Sequence, residues 1–164
     1  MDIIRKAERG DLSRIAEIYV FNNRINYYPI FKDEKFSFDT LQVVSLIDNY
    51  FQKDEIIKNI YVYDDGLIKG FIQMNETEIC KLYVEPCFQG KGIGGELIEF
   101  AIKELNANNL WALEKNINAI RFYQRHGFSM TSEQQLSMVS ERKLEEGTTE
   151  YLVKMKRLAK QDQK

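Results

Sequence analysis

The sequence has few of the residues from which proteins build metal sites and disulfide scaffolds. Its 164 residues include two cysteines and one histidine, with neither a Cys-x-x-Cys nor a His-Glu-x-x-His pattern. Thiolate and imidazole are the usual ligands of zinc, so we expect no metal site. Cys80 and Cys87 fall in a predicted strand and in the loop after it, and we expect two reduced thiols rather than a disulfide.

Long apolar runs and an excess of charge of one sign are also lacking. No stretch approaches the roughly 18 uninterrupted apolar residues of a membrane-spanning helix, and the first six residues lack the apolar core of a signal peptide. The 23 basic and 25 acidic residues leave a formal net charge of −2, so no overall field attracts nucleic acid. We therefore expect a cytoplasmic protein without membrane or nucleic-acid partners.

Proline and glycine are scarce as well, with two prolines and nine glycines, which argues against collagen-like and low-complexity chains. Hydrophobic residues make up 44% of the chain and aromatic residues 12%, enough apolar surface to offset the entropy of ordering. The length suits one domain. We predict a single domain over residues 1–159, followed by a polar tail at residues 160–164.

Apolar spacing and turn residues predict an alternation of strands and helices. Asp65 and Gly66, between two β-rich runs, predict a hairpin because glycine supplies the positive φ of a tight turn. Helices are predicted at 12–19, 41–51, 97–105 and 116–125, with a loop at 26–31. Strands are predicted at 3–5, 60–63, 67–74, 78–84, 110–113, 128–130 and 150–155. This order predicts an α/β (α+β) fold with a central mixed, mostly antiparallel sheet flanked by helices.

The most informative segment is the glycine-rich run Gln89-Gly90-Lys91-Gly92-Ile93-Gly94-Gly95, which follows a strand and opens an amphipathic helix. Glycines allow the backbone to approach a ligand closely. The free N–H groups of a first helical turn, together with the helix dipole, attract anions such as phosphates. The run therefore predicts a phosphate-binding loop.

Two kinds of ligand are compatible with this loop. Gly90-x-Gly92-x-x-Gly95 matches the dinucleotide fingerprint, and Glu114 follows at about the spacing of an acidic ribose ligand. In that fold, however, the first glycine follows its strand almost at once within a parallel sheet. Here five residues separate Val84 from Gly90, and the preceding strands form a hairpin meander. A dinucleotide-dependent enzyme is therefore the less favoured alternative.

The second interpretation is a family resemblance carried by two motifs. Leu82-Tyr83-Val84-x-Pro86-x-x-Gln89-Gly90-Lys91-Gly92-Ile93-Gly94 resembles the acetyl-coenzyme A signature of the GNAT-type N-acetyltransferases. Asn116-Ile117-Asn118-Ala119-Ile120-Arg121-Phe122-Tyr123, continuing to Gly127-Phe128, is similar to the Asn-x-x-Ala-x-x-Phe-Tyr-x-x-x-Gly-Phe helix of the same superfamily. The resemblance is specific over about residues 60–130. It implies a sheet whose strands 78–84 and 110–113 splay apart to form a cofactor cleft.

The resemblance also implies a reaction. An acetyl group would pass from acetyl-CoA directly to a primary amine, which is a small molecule, a polyamine, an amino acid or a protein amine. A non-catalytic CoA-binding regulatory module remains an alternative. A homodimer is an expectation based on relatives of this type.

Site residues follow from the resemblance position by position. The implied cofactor-binding residues are Leu82, Tyr83, Val84, Gln89, Gly90, Lys91, Gly92, Ile93, Gly94, Gly95 and Asn116. Tyr123 is the implied general acid, with core packing as the alternative, and Asn116 could equally cap its helix. Glu78 is the implied general base through water, with Glu76 as the fallback. Among the aromatic residues before position 40, Tyr27 and Tyr28 are the candidates for contacting the acceptor.

Overall fold

The computed structural model of the chain describes residues 2–136 and 151–158. The predicted polar tail at 160–164 lies outside the described residues. Seven strands in the described ranges form one sheet with the order β1-β2-β3-β4-β5-β7-β6. The strands are β1 (Ile4–Lys6), β2 (Ile60–Asp64), β3 (Ile68–Asn75), β4 (Glu78–Val84), β5 (Asn109–Leu113), β6 (Phe128–Leu136) and β7 (Tyr151–Arg157). The β4–β5 pair is parallel and the other pairs of this sheet are antiparallel. The predicted mixed, mostly antiparallel sheet is therefore confirmed.

Helices flank this sheet on both faces. They are α1 (Leu12–Asn26), α2 (Tyr28–Phe31), α3 (Val43–Leu46), α4 (Asp54–Ile57), α5 (Ile93–Glu104) and α6 (Ile117–Arg125), with π-helical turns at Lys35–Thr40 and Ile47–Phe51. The expectation of a loop at 26–31 is wrong, because α1 continues to Asn26 and α2 follows after one residue. Pro29 lies in the first turn of α2, where a missing N–H costs no helical hydrogen bond.

Strand β3 divides the core because its successive side chains point to opposite faces of the sheet. Phe71 packs with α1 residues such as Ile15 and Ile18 on one face. Ile72 packs with Leu97 of α5 and other residues on the opposite face. All five side chains are fully buried. None of the helices in the described ranges has the length and apolar character that crossing a bilayer requires.

Strands β4 and β5 separate soon after they begin. Glu78 pairs with Asn109 and Ile79 with Leu110, and no register partner follows along this pair. Residue 80 of β4 is a bulge, because Met74 faces Ile79 whereas Gln73 faces Lys81 across the β3–β4 ladder. The two strands then diverge, as predicted, and a cleft opens between their carboxyl ends.

Candidate functional site

The cleft between the diverging strands has a volume of about 920 Å³. Its wall joins β4, the start of α5, the end of β5, the start of α6 and the carboxyl half of α1. The predicted site residues that line it are Tyr27, Glu78, Leu82, Tyr83, Val84, Gln89, Gly90, Gly92, Ile93, Gly94, Gly95, Asn116 and Tyr123. Lys91, Tyr28 and Glu76 are not among the lining residues. Topology alone thus brings most of the two sequence motifs to one cavity.

The glycine-rich loop enters α5 through backbone conformations that favour glycine. Gly90 has a φ of 79° and Gly92, the N-cap residue of α5, has a φ of 86°. A Cβ built at either position would meet no atom within 4 Å, so the space beside both residues is open. The two later glycines differ. A Cβ on Gly94 would lie 3.5 Å from Phe122 and one on Gly95 would lie 3.6 Å from His126, so both glycines face α6 or its end at ordinary van der Waals distance.

Gln89 braces the loop against two other elements. Its side-chain amide donates to the Val84 carbonyl at 3.1 Å and to Asn22 Oδ1 at 3.1 Å. Asn22, on α1 and 2% exposed, donates in turn to the same Val84 carbonyl at 2.9 Å. The carbonyl at the end of β4 is therefore engaged by the protein, which leaves Leu82 as the nearest β4 residue whose main chain lies beside the gap left by β5.

Two members of the loop contribute in different ways. The Ile93 side chain is buried in the core beside Leu97, so this residue can offer only its backbone to a ligand in the cleft. Lys91 is exposed, and its Nζ lies 5.4 Å from the centroid of the Phe88 ring. Lys91 therefore lies at the edge of the site.

Helix α6 begins at Asn116, whose Oδ1 accepts a hydrogen bond from the Ala119 N–H at 3.2 Å. Asn116 is thus an N-cap and also lines the cleft. At the other end of the helix, His126 Nδ1 lies 2.9 Å from Glu99 Oε1 of α5. The helix is therefore tied both to its own first turn and to α5.

Tyr123 presents its phenol to the cleft from α6. Its ring packs against Phe122 at 5.3 Å and against Phe128 at 6.1 Å between centroids. Burial, with a smaller contribution from Tyr27, raises the pKa of Tyr123 well above its ordinary value. The phenol is therefore protonated at neutral pH and can act as a proton donor.

Tyr27 and Tyr83 meet across the cleft wall, with their hydroxyl oxygens 3.4 Å apart. Burial raises the pKa of both phenols. Tyr19 of α1 packs edge-on against Tyr83 at 5.3 Å between centroids. Tyr28 lies elsewhere, with its hydroxyl 3.4 Å from Glu34 Oε1 and its ring 5.0 Å from that of Phe38.

Glu78 lies where β4 and β5 begin to separate. Its Oε1 is 3.5 Å from Lys154 Nζ, and its Oε2 accepts from the Cys80 thiol at 3.4 Å. Burial first and Glu78 second raise the pKa of Cys80 to about 11. Glu76, by contrast, is an exposed residue in the β3–β4 turn with a φ of 54°.

The residues of the site that were not found from the sequence include Tyr19, Asn22 and Lys81, all of which line the cleft. Tyr19 fits the apolar stripe of α1, which predicts core packing rather than a site. Asn22 and Lys81 are polar residues on partly buried elements, and no local pattern distinguishes them from solvated residues.

Metal ligands are not gathered anywhere in residues 2–136 and 151–158. No group of three or more histidine, cysteine, aspartate or glutamate side chains within this part of the chain could hold a metal ion.

Residues 57–130 match the family model for the acetyltransferase (GNAT) domain. This match covers a little under half of the chain and shows that these residues are similar to that domain. An uncharacterised N-acetyltransferase of Methanocaldococcus jannaschii is 36% identical over 70 residues, which is 40% of this chain and 31% of that protein. The match thus spans about a third of this curated relative.

Solved structures with the same fold cover nearly the whole chain. YjaB from Escherichia coli, in its apo form, superposes with a TM-score of 0.69 at 17% identity, covering 95% of this chain and 97% of that one. YncA from Salmonella typhimurium, solved with its cofactor acetyl-CoA, gives 0.64 at 21% identity, covering 96% and 94%. These likenesses establish the GNAT fold for the chain.

Proposed function

We propose that the chain is an acyltransferase that moves the acetyl group of acetyl-CoA directly onto a primary amine. One observation carries the proposal: a single cleft joins the diverging strands, the glycine-rich start of α5 and the Tyr123 phenol. The match of residues 57–130 to the acetyltransferase (GNAT) domain model supports it. The acetyl-CoA in the YncA structure supports the same cofactor here.

The residues of the cleft fit a long, anionic thioester carrier. The open space beside Gly90 and Gly92 leaves room for phosphate groups against the N–H groups that open α5. Arg125 and His126 line the same cleft and can add positive charge. The main chain of residues 82–84, on the part of β4 that β5 no longer pairs, would bind an extended ligand as a further strand does.

When bound, acetyl-CoA supplies the acetyl group as an activated thioester. A main-chain N–H near Tyr83 would stabilise negative charge on the carbonyl oxygen of that group. The Tyr123 phenol holds a proton at neutral pH and would donate it to the sulfur that leaves. Asn116, at the start of the same helix, is placed to orient this end of the ligand.

Glu78 is our proposed general base, acting on the acceptor amine through water. It lines the cleft, and Lys154 holds its carboxylate at the point where β4 and β5 part. Glu76, which points from an exposed turn and is not among the lining residues, is the weaker candidate. Tyr27 is the proposed acceptor contact, because it lines the cleft whereas Tyr28 packs against Phe38 instead.

Organisation and partners are part of the proposal. We propose one N-acetyltransferase domain over residues 1–159 with a tail at 160–164, in a cytoplasmic protein that forms homodimers. Its partner is an amine substrate, and neither nucleic acid nor a membrane is needed.

The deciding experiment measures binding and chemistry separately. Isothermal titration with acetyl-CoA and with NAD tests the ligand, and release of free CoA thiol across a panel of amines tests the reaction. Binding of acetyl-CoA with thiol release is the expected result. Tight acetyl-CoA binding without release from any amine would favour the regulatory module, and binding of NAD alone would favour the dinucleotide enzyme.

A further inference from the structure

A lysine side chain lies among tyrosines on the side of the cleft that faces α1. Lys81 of β4 lines the cleft and is half-buried. Its Nζ lies 5.3 Å from the centroid of the Tyr19 ring and 4.7 Å from that of Tyr50. The same nitrogen donates to the Tyr50 hydroxyl at 3.3 Å. Gln73, which is buried, also donates to that hydroxyl at 2.6 Å and fixes the Tyr50 ring in place.

This ammonium group lacks an anionic partner within the part of the chain that the structure describes. Its single hydrogen bond there is to Tyr50. An ammonium group has three N–H donors, so two remain available. Two other partly buried cations do have anionic partners: Arg14 pairs with Glu85 at 2.8 Å and Lys154 with Glu78 at 3.5 Å.

The ammonium group is charged despite its surroundings. Burial lowers the pKa of Lys81, but the nearby phenols of Tyr19 and Tyr50 raise it by more, and the net pKa lies above the ordinary value. Aromatic faces stabilise a cation. A partly buried ammonium group is stabilised more strongly by an anion that accepts its hydrogen bonds.

The charges lining the cleft have one prevailing sign. Glu78 is the one carboxylate among the described lining residues, and Lys154 already neutralises it. The basic residues that line the cleft are Lys81 beside α1, Arg125 at the end of α6 and His126, the C-cap residue of that helix. Arg125 and His126 lie at the glycine-loop end, so Lys81 is the cation of the opposite, α1-facing end, where Tyr27, Phe31 and Phe36 also line the cleft.

We propose that Lys81, held between Tyr19 and Tyr50, is the binding site for the carboxylate of the acceptor, and that the acceptor is a small α-amino acid with an apolar side chain. This inference rests on the proposed acetyl transfer and narrows its acceptor. The ammonium group accommodates a carboxylate in charge-assisted hydrogen bonds, and the aromatic residues accommodate the apolar side chain. Polyamines, which carry several positive charges, are disfavoured at this end of the cleft.

Binding of the product tests the proposal without requiring turnover. Protein saturated with CoA is titrated calorimetrically with N-acetyl-L-phenylalanine and with its neutral carboxamide, which differ only in the carboxylate. We expect the acid to bind at least about tenfold more tightly, because charged hydrogen bonds are the strong ones. In Lys81→Met the difference should vanish, whereas Lys81→Arg should keep part of it. Lys58→Met, a change at an exposed lysine outside the cleft, is the matched control.

Thiol release with L-phenylalanine, L-phenylalaninamide and spermidine adds a kinetic comparison. The acid should be the better acceptor in kcat/KM, and Lys81→Met should raise its KM with little change for the amide. Four outcomes would each overturn the carboxylate site: equal binding of acid and amide, no binding of the acid, a difference that persists in Lys81→Met, or a preference for spermidine.

Failure of the proposed acetyl transfer would be seen separately, as absence of acetyl-CoA binding or of thiol release with every amine. The titration of acid against amide would still decide the role of Lys81.

Discussion

Asn22 of α1 and Val84 of β4, 62 positions apart, are joined by a hydrogen bond of 2.9 Å from the side-chain amide to the main-chain carbonyl. Gln89 of the glycine-rich loop bonds to both residues. Helix α1, the end of the cofactor strand and the loop before α5 are therefore fastened at one buried point. This junction fixes the position of the glycine-rich loop relative to β4. The loop and the strand together form the proposed cofactor site.

Replacement of Asn22 tests this junction. In Asn22→Ala the Val84 carbonyl and the Gln89 amide each lose a buried partner, and we expect a loss of about 1–3 kcal/mol in the free energy of unfolding. Affinity for acetyl-CoA should fall as well, because the loop is no longer held. Chemical denaturation and calorimetry measure the two effects. Asn49→Ala, at an exposed position, should change neither, and an Asn22→Ala protein with wild-type affinity would show that the loop is set by other contacts.

The proposed acid is tested by removing one oxygen atom. Tyr123→Phe keeps the packing against Phe122 and Phe128, so cofactor affinity should be nearly unchanged. Turnover should fall by about a hundredfold, a typical contribution of general acid catalysis. Tyr61→Phe, on β2 beside Phe100, is the control for loss of a phenol outside the cleft. Full turnover by Tyr123→Phe would leave this tyrosine with a packing role alone.

The raised pKa of Tyr123 also predicts a pH dependence of stability. A folded-state pKa above the ordinary value of about 10 means that the folded protein holds this proton more tightly than the unfolded chain does. The contribution is therefore complete below about pH 10 and is lost as pH rises through the folded-state pKa. Thermal melts between about pH 10 and 12 should show a steeper loss for the wild type than for Tyr123→Phe, with no difference in slope below about pH 10. Parallel curves would indicate that the phenol titrates normally.

Turns and helix starts could be predicted from the sequence, because their conformation depends on residues that are close together along the chain. Gly66 takes the positive φ of the predicted hairpin turn, and Gly92 opens α5 as its motif implies. The contacts of Asn22 with Val84, and of Lys81 with Tyr19 and Tyr50, join distant segments and leave no periodic or local pattern. The region between α1 and β2 was predicted least well, because its short helices and π-helical turns do not sustain one hydrophobic period over enough residues.

Adding a methyl group at Gly92 tests whether this residue of the loop is part of the proposed cofactor site. In Gly92→Ala the left-handed φ of 86° costs about 1–2 kcal/mol, and the added methyl group enters the open space that the proposed phosphates occupy. We expect lower stability and a loss of acetyl-CoA affinity. Gly10→Ala is the matched control, because Gly10 also has open space around its Cβ but not a positive φ. Unchanged affinity in Gly92→Ala would remove this residue from the cofactor site.

Cys80 reports on the position of Glu78. Its pKa of about 11 lies about two units above the ordinary value of 9.0, so its thiolate fraction at pH 8 is about 100-fold lower than that of a free thiol. A more basic thiolate is also more nucleophilic, which offsets part of this loss, so alkylation by iodoacetamide should be roughly tenfold slower. The Cys87→Ser background isolates the Cys80 signal in mass spectrometry.

Replacing the neighbouring carboxylate then separates the two causes of this raised pKa. In Glu78→Gln the negative charge beside the thiol disappears, so the pKa of Cys80 should fall and alkylation at pH 8 should accelerate. Burial, the larger cause, persists, and the rate should therefore stay below that of a free thiol. Glu76→Gln, in the exposed turn, should leave the rate unchanged. An identical rate in Glu78→Gln and wild type would place the Glu78 carboxylate away from the Cys80 thiol and weaken its assignment as the base.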